Sequence, residues 1–419
     1  MLYQFYLQGM LPAIPVLIAA SLVIIIGYVG RAAFSKTKIP EALILILIGV
    51  LLVPVGHLLP SVYVSELRSA APLFGDLALI VIMYNGGRII GLNIGLLKGT
   101  KGLALGIIDV AFSSLFISAI MGYIFGWPLI YGALLGALLG ETTTTIVVSV
   151  IKRIEMPPQI YQTLLLETTF NSVIAIMVFT MLLSFVSGQQ LTASSSIEYI
   201  VDYISVAVAL GAIAGLTWLA IQEKISTARG YLPTIATAIL LYGATSTFNG
   251  AAPIAVLVFA IILGNYKVVG RYVGIEFIVG RGEARDMHAV AGVIEFLITT
   301  FFFVFIGIIA SVSAQYFEYG LIITALLAAG RYAEMKWAFG GQDSKYSGMA
   351  FSLMPRGTTA AVLSSSLLSL GTGYGYEAFY ISLIVIVLTN VVAGLSLSRA
   401  RSIKIMDGST APQAAGVST

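Results

Sequence analysis

The sequence predicts an all-α, polytopic membrane protein of about 13 transmembrane helices. Of its 419 residues, 58% are hydrophobic and 10% are charged, with a mean hydropathy of +0.99. A soluble globular chain carries about 25% charged residues. Apolar runs long enough to span a bilayer recur along the chain, and basic residues gather between alternate runs. The lipid bilayer is therefore the expected solvent of this chain.

The apolar runs are separated by polar or Gly/Pro-rich breaks. Because about 20 apolar residues span the hydrocarbon layer as a helix, each run predicts one span. The runs lie near 11–30, 41–58, 72–90, 101–125, 128–151, 160–186, 198–221, 231–247, 252–266, 288–312, 318–335, 347–370 and 377–398. Residues 1–405 are thus expected to form a single transmembrane domain. Residues 406–419 are small and polar and predict a disordered cytoplasmic tail.

The basic residues predict the orientation. With the N-terminus outside, alternate loops hold 20 of the 22 Lys and Arg residues, Arg331 among them. Arg68 falls outside and Arg356 falls within a run. Cytoplasmic loops carry an excess of Lys and Arg. We therefore expect an outside N-terminus and a cytoplasmic C-terminus in the plasma membrane. The first ten residues contain no Lys or Arg, so no signal peptide is expected.

The odd number of spans predicts two inverted repeats, about 11–186 and 231–398, joined by a linker helix at about 198–221. Transporters are often built in this way, with discontinuous helices that meet at the midplane. The fifth span of each repeat carries a glycine, paired threonines and a charge. These segments are GETTTTIVVSVI (140–151) and PRGTTAAVLSSSL (355–367). We therefore expect broken helices at spans 5 and 12, crossing near the midplane.

Glu141 lies at the centre of the fifth span and is followed by four threonines. A charged side chain at this depth costs at least about 2.5–3.5 kcal/mol, so it requires a partner or a function. Hydroxyls, freed carbonyl oxygens and one carboxylate suit a hard cation. Glu141, Thr142 and Thr143 are therefore candidate ion ligands. The alternative is that the threonines hydrogen-bond back to the turns of a regular helix.

The sixth span carries a second polar group. Glu167 and Asn171 share one helix face, as do Thr168 and Ser172. Thr168, Asn171 and Ser172 are candidate ion ligands, with a hydrogen-bonded helix–helix seam as the alternative. Arg356, in the twelfth span, needs a carboxylate because an unpaired buried charge is very costly. We expect a structural ion pair between Glu167 and Arg356.

Three further acidic residues lie in apolar runs. Asp76 is interpreted as interfacial, near the outer end of the third span. Asp109 is expected to cap a kink or to face a partner on another helix. Glu295 is expected either to form a salt bridge or to contact the substrate. Asp109 and Glu295 are therefore secondary candidates.

The composition argues against several classes of function. The chain has no cysteine and only two histidines, His57 and His288. Disulfides, thiolate zinc sites, histidine-rich metal sites and cysteine nucleophiles are therefore not expected. There is no Walker-type GxxxxGK[ST] segment, so the chain itself is not expected to be driven by ATP. No enzyme activity, cofactor or nucleic-acid partner is expected, and the net charge is only +3.

The fifth and sixth spans resemble those of the cation/proton antiporter superfamily. Members carry Thr-Asp-Pro in the broken fifth helix; here Thr142 matches the threonine, while Thr143 and Thr144 occupy the other two positions. The sixth helix of the family carries Glu-Ser-x-x-Asn-Asp. Here Glu167, Thr168 and Asn171 fit that motif, and Ser172 replaces the final aspartate.

The resemblance extends over nearly the whole chain. In length and helix count the chain is similar to prokaryotic NhaP-type sodium/proton antiporters. Arg356–Gly357 matches the basic-Gly pair of the twelfth helix, and FFFVFIG (301–307) resembles the end of the tenth. In the third span Asn85 stands where an acidic residue often occurs, and it is a further secondary candidate.

The resemblance implies exchange of Na⁺ or K⁺ for H⁺ by alternating access, in a homodimer. Both aspartates expected to bind the cation are replaced, so Glu141 is the displaced carboxylate of this hypothesis. With one exchanging carboxylate, the exchange is expected to be one for one and electroneutral. Other functions stay open: the same fold carrying an anion or a neutral solute, a non-transporting relative, or a pore-only channel.

Overall fold

The protein is described here by a computed structural model that covers most of the chain. The described residues are 21, 24, 25, 27, 28, 41–56, 61–89, 101–143, 147, 157–186, 193–225, 230–273, 281–311, 313–340 and 344–399. Every regular element among them is helical, which confirms the predicted all-α class. The expected tail at 406–419 and most of the first predicted span lie outside these residues.

Most of the helices overlap one of the predicted spans. They are α1 (Glu41–Val50), α2 (Ser61–Ile89), α3 (Gly102–Ala119), α4 (Leu129–Leu139), α5 (Pro158–Val186), α6 (Ala193–Lys224), α7 (Tyr231–Thr247), α8 (Ala252–Gly264), α9 (Tyr266–Val273), α10 (Arg281–Ile309), α11 (Ala314–Phe339), α12 (Ser344–Ser347), α13 (Thr358–Ser366) and α14 (Gly373–Arg399). π-Helical turns extend α1 through Leu51–Val55 and α3 through Ile120–Ile124. A 3₁₀ turn at Ala350–Leu353 precedes α13, and another at Leu367–Leu370 extends it.

Several of these helices are suited to cross a membrane. By length and composition five qualify in the described part of the chain, or six if α8 and α9, which are bent by 83°, count as one span. The five are Gly102–Ile124, Pro158–Val186, Val201–Lys224, Gly292–Ile309 and Gly373–Ser396. α4 and α13 are shorter apolar helices, because α4 ends and α13 begins at a break in the middle of its predicted span.

The expected position of Asp76 near the outer end of its span is wrong. α2 begins at Ser61 rather than near residue 72, and it continues through Pro72. Proline is tolerated inside membrane helices, where neighbouring groups satisfy the freed backbone. Asp76 therefore lies mid-helix, half-buried, and accepts a hydrogen bond of 2.7 Å from the Tyr242 hydroxyl on α7.

The two predicted breaks are present and touch each other. α4 ends at Leu139 with Gly140 as its cap, and residues 141–143 are not helical. Residues 354–357 are not helical either, and α13 begins after Gly357. The Thr143 N–H donates to the Pro355 carbonyl at 3.0 Å. A Cβ at Gly357 would collide with the Thr143 side chain, so the glycine permits this close approach.

Small residues also allow other helices to approach closely. α1 and α10 meet backbone to backbone at Gly49 and Gly307, where a Cβ on either residue would strike the other helix. Such small-residue contacts are a common means of helix association in membranes, where lipid removes the hydrophobic driving force. Gly292, on the same α10 helix, has open space at its Cβ position.

Gly307→Ala is therefore expected to force α1 away from α10. Overpacking of this kind costs about 1–3 kcal/mol, so the Tm of the detergent-purified protein should fall by several degrees. Gly292→Ala makes the same chemical change on the same helix without a steric clash and is the matched control. Equal melting temperatures for the two variants would contradict the close approach.

Candidate functional site

Glu141 lies at the crossing of the two broken segments. Its side chain is buried at 1% exposure, and Oε1 accepts a hydrogen bond of 3.0 Å from the Ser172 hydroxyl on α5. Oε2 accepts no hydrogen bond among the described residues. The Thr359 side chain and the Gly357 backbone N–H lie close enough to interact with the carboxylate. The carboxylate thus faces the N-terminal, positive end of α13.

The Asn171 side chain stabilises the backbone at the first break. Its Oδ1 accepts from the Thr142 N–H at 2.8 Å, and its Nδ2 donates to the Gly140 carbonyl at 2.8 Å. These two backbone groups are left without helical partners where α4 stops, and buried backbone groups require partners. The Asn171 amide therefore holds the interruption open in place of a helical turn. The same Nδ2 also lies 3.2 Å from Asp109 Oδ2.

Glu167 forms its ion pair with Arg331, not with Arg356. Arg331 Nη1 donates to Glu167 Oε1 and Nη2 donates to Oε2, both at 2.9 Å, and both side chains are fully buried. A planar guanidinium matches a carboxylate in this two-bond geometry. The expected Glu167–Arg356 pair is therefore wrong, because α11 brings a second arginine to Glu167. Glu167 Oε1 also accepts from the Thr142 hydroxyl at 3.3 Å.

Arg356 pairs instead with Asp109 on α3. Its Nη1 and Nη2 lie 3.2 Å from Oδ2 and Oδ1 respectively. The backbone of Arg356 is held on both sides: its N–H donates to the Thr389 hydroxyl at 3.2 Å, and its carbonyl accepts from Asn390 Nδ2 at 2.7 Å. α14 thus replaces the helical partners lost at the second break, as Asn171 does at the first.

Two of the charged residues at the site are not identified from the sequence. Arg331 was assigned to a cytoplasmic loop, but it lies inside α11 at 1% exposure. Glu334, one turn further along, is 6% exposed, and its Oε2 lies 3.5 Å from Arg331 Nη1. One signal was available: an arginine and a glutamate three residues apart in an otherwise apolar stretch share a helix face.

The remaining candidate residues are distributed as follows. Thr168 is buried on α5, with its hydroxyl donating to the Leu165 carbonyl at 3.2 Å. Asn85 lies on α2, next to Tyr84, in the part that packs against α7 and α8. Glu295 lies in α10, but its side chain, like Thr144 and Thr145, lies outside the described residues.

Among the described residues, negative charge is in excess at the site. Six buried ionisable side chains in this part of the chain form one group, and each guanidinium is already matched to a carboxylate. The six are Asp109, Glu141, Glu167, Glu334, Arg331 and Arg356. When all are ionised, Glu141 and Glu334 remain without an opposite charge of their own. A buried unpaired charge is costly, so both carboxyl groups favour a bound proton or a cation.

Removing the arginine of the pair should destabilise the protein more than removing its glutamate. Breaking a buried ion pair costs about 3–5 kcal/mol. Arg331→Gln leaves both Glu167 and Glu334 without a guanidinium, whereas after Glu167→Gln the arginine can still turn to Glu334. In detergent, the Tm should therefore be highest for the wild type, lower for Glu167→Gln and lowest for Arg331→Gln.

Glu318→Gln, which changes an exposed residue on the same helix, is the control and should keep the wild-type Tm. A Tm for Arg331→Gln equal to that of the control would show that this pair does not hold α5 and α11 together.

The similar proteins named below are all cation/proton antiporters. The family described as sodium/hydrogen exchanger, transmembrane, matches residues 18–400. The K(+)/H(+) antiporters NhaP2 of Shewanella oneidensis and Shewanella baltica are each 22% identical to it over 245 residues. That alignment covers 57% of this chain and 42% of each relative. The chain thus spans less than half the length of these curated relatives.

Solved structures share the fold. The sodium proton antiporter MjNhaP1 of Methanocaldococcus jannaschii at pH 8 superposes with a TM-score of 0.74 at 18% identity. The superposition covers 93% of this chain and 98% of that one. A second structure of the same antiporter gives a TM-score of 0.68 at 18% identity. Since the family match extends over nearly all of the sequence, the chain belongs to the sodium/hydrogen exchanger family.

Proposed function

We propose that this protein exchanges a monovalent cation, Na⁺ or K⁺, for H⁺ by alternating access, with Glu141 as the exchanging carboxylate. The observation that carries the proposal is the buried Glu141 carboxylate, which among the described residues has one oxygen without a hydrogen bond and no guanidinium of its own. The similar proteins named above, a K(+)/H(+) antiporter and a sodium proton antiporter, support this class of activity.

The exchange follows from charge balance. In a site of low dielectric constant an ionised Glu141 is unfavourable unless a positive charge binds it. A proton or a monovalent cation meets this need, but not both together, so each displaces the other. Desolvation of the cation is offset by oxygen ligands, which hard cations prefer. Oxygens suited to this role belong to Glu141, Ser172, Thr168, Thr142 and Thr143, all close to the crossing.

Asn171 has a supporting role in this proposal. Both polar atoms of its amide are engaged by the backbone on either side of Glu141, at the Gly140 carbonyl and the Thr142 N–H. We therefore expect it to hold the shape of the ion site rather than to release its own oxygen to the cation. The Glu167–Arg331 and Asp109–Arg356 pairs have a similar role, because they neutralise the charges that surround Glu141 without binding the cation.

The architecture we propose is that expected from the sequence. Thirteen spans in the plasma membrane form two inverted repeats, with the N-terminus outside, a cytoplasmic C-terminus, and the broken helices at the midplane. The protein works as a homodimer, in which one bundle carries the site past a scaffold. Glu141 lies in one repeat and Arg356 lies in the other, so the two crossing segments carry opposite charges.

The anion-carrying alternative is disfavoured by the same charge count. Each arginine at the site is bound by two carboxylate oxygens, at 2.9 Å for Arg331 and 3.2 Å for Arg356. The N-terminal end of α13, which could otherwise attract an anion, faces the Glu141 carboxylate. An anion would have to enter a region already in negative excess.

Glu141→Gln should abolish exchange while leaving the fold intact. Glutamine keeps the size of the side chain and can hydrogen-bond to Ser172, but it cannot release a proton or hold a cation charge. In liposomes with an internal pH dye, an imposed Na⁺ or K⁺ gradient should drive proton flux with wild-type protein. We expect a reduction of at least about tenfold, down to the background of empty liposomes, in the variant.

Glu318→Gln, at an exposed position, is the matched control and should transport as the wild type does. Chloride gradients should drive no proton flux in any of the proteins. Normal exchange by Glu141→Gln would exclude Glu141 as the exchanging group. Flux driven by chloride but by neither cation would exclude cation exchange and favour an anion substrate.

A further inference from the structure

The geometry points to Glu334 as a second proton-exchanging carboxylate of this site, so that two protons move for each monovalent cation. The inference rests on the proposed antiport and deepens it. A site with one exchanging carboxylate, as expected from the sequence, gives one-for-one exchange. The structure adds Glu334, whose negative charge no guanidinium fully neutralises. The expected stoichiometry then becomes two protons per cation.

Glu334 is the weaker of two competitors for Arg331. Glu167 takes two bonds of 2.9 Å from the guanidinium, whereas Glu334 Oε2 lies 3.5 Å from Nη1, at the limit of a hydrogen bond. The positive charge of Arg331 is therefore balanced by Glu167. An ionised Glu334 adds a second negative charge to a pair that is already neutral.

The Oε1 atom of Glu334 is available to a further ligand. The residue is 6% exposed, and Oε1 has no hydrogen-bond partner in the described part of the chain. A carboxyl oxygen buried without a donor is costly, so this oxygen is suited to receive a proton or a water molecule that carries one. The arrangement resembles that of Glu141, whose Oε2 is likewise without a partner among these residues.

Four charged groups surround Glu334. Arg331 belongs to its own helix, Asp109 faces it from α3, Glu167 from α5, and Arg356 from the segment before α13. These groups form two neutral pairs when Glu334 is left aside. No net positive charge is therefore left over to neutralise an ionised Glu334, and an unpaired buried charge is costly.

Glu334 lies between the ion site and one end of the bundle. α3 and α11 run antiparallel, since Lys101 Nζ donates to the Ala338 carbonyl at 3.1 Å and a Cβ at Gly330 would meet Phe112. Beyond Glu334, toward Lys101, lies a buried apolar cluster that includes Leu105, Met335, Phe339 and Leu353. A carboxyl group at the edge of this cluster is suited to exchange protons when the cluster opens to water.

A continuous chain of contacts couples Glu334 to the cation site. Glu334 contacts Arg331, Arg331 binds Glu167, and Glu167 Oε1 accepts from the Thr142 hydroxyl beside Glu141. A negative charge on Glu334 draws the guanidinium away from Glu167 and raises the negative potential at the crossing. Cation binding and proton release from Glu334 therefore favour each other, and the coupling is reciprocal.

The proton count follows from the charge of the two loaded states. With protons on both Glu141 and Glu334, the six ionisable groups sum to zero. One cation binds as both protons leave, and the group then carries a net charge of minus one. Exchange is therefore electrogenic, and a membrane potential contributes to the driving force.

The gradient at which flux stops measures the stoichiometry. Proteoliposomes hold a tenfold cation gradient, with the membrane potential kept at zero by equal thiocyanate on both sides. The pH difference that abolishes net proton flux is about 0.5 for two protons per cation and about 1 for one, because the free energies of the two gradients must balance. We expect about 0.5 for the wild type and for Glu318→Gln, and about 1 for Glu334→Gln.

A wild-type balance point near 1 would overturn the inference while leaving the antiporter proposal intact. The same holds if Glu334→Gln keeps the wild-type balance point. Should Glu334→Gln be inactive, Glu334→Asp, which retains a carboxyl group, must exchange with a balance point of about 0.5; failure to do so also overturns it. Absence of any cation-driven flux in the wild type would overturn the proposed function itself, and this inference with it.

Discussion

The neutralisation of buried charge is the constraint on which the rest of the structure depends. A charged side chain inside a membrane span costs at least about 2.5–3.5 kcal/mol, and the described residues include one group of six buried ionisable side chains. The two bidentate pairs lower that cost by bringing α3, α5, α11 and the segment before α13 together. The broken helices, the glycine at their crossing and the Asn171 amide are all arranged around those pairs.

Much of this arrangement follows from the sequence. Gly140 with its threonines, and Arg356–Gly357, predict interruptions at matching positions of two repeats, and both interruptions are present. The meeting of the fifth and sixth spans also follows, since Glu141 and Ser172 are hydrogen-bonded. These inferences succeed because they depend on local rules: glycine and threonine weaken a helix, and residues four apart share a face.

The pairing of the charges does not follow from the sequence. Two buried arginines and four buried acidic residues allow many combinations, and the pairs that form join residues 164 and 247 positions apart. Arg331 is also hard to recognise, because a basic residue near the end of an apolar run is typical of a cytoplasmic loop. Only the packing of α11 against α3 and α5 shows that this residue points inward. Asp76 was misplaced because the apolar run begins near residue 72, whereas the helix begins at Ser61.

The contact between Thr143 and Pro355 has a consequence for how the molecule can move. This hydrogen bond, the ion pairs and the bonds from α14 to the Arg356 backbone connect α3, α4, α5, α11, α13 and α14 as one unit. The ion pairs found in the described ranges all fall within this unit, whereas α1, α2, α6, α7, α8 and α10 pack with one another chiefly through apolar and small side chains. No ion pair found among the described residues joins the two groups of helices. A displacement of one group against the other would therefore exchange apolar contacts and leave the charged pairs intact.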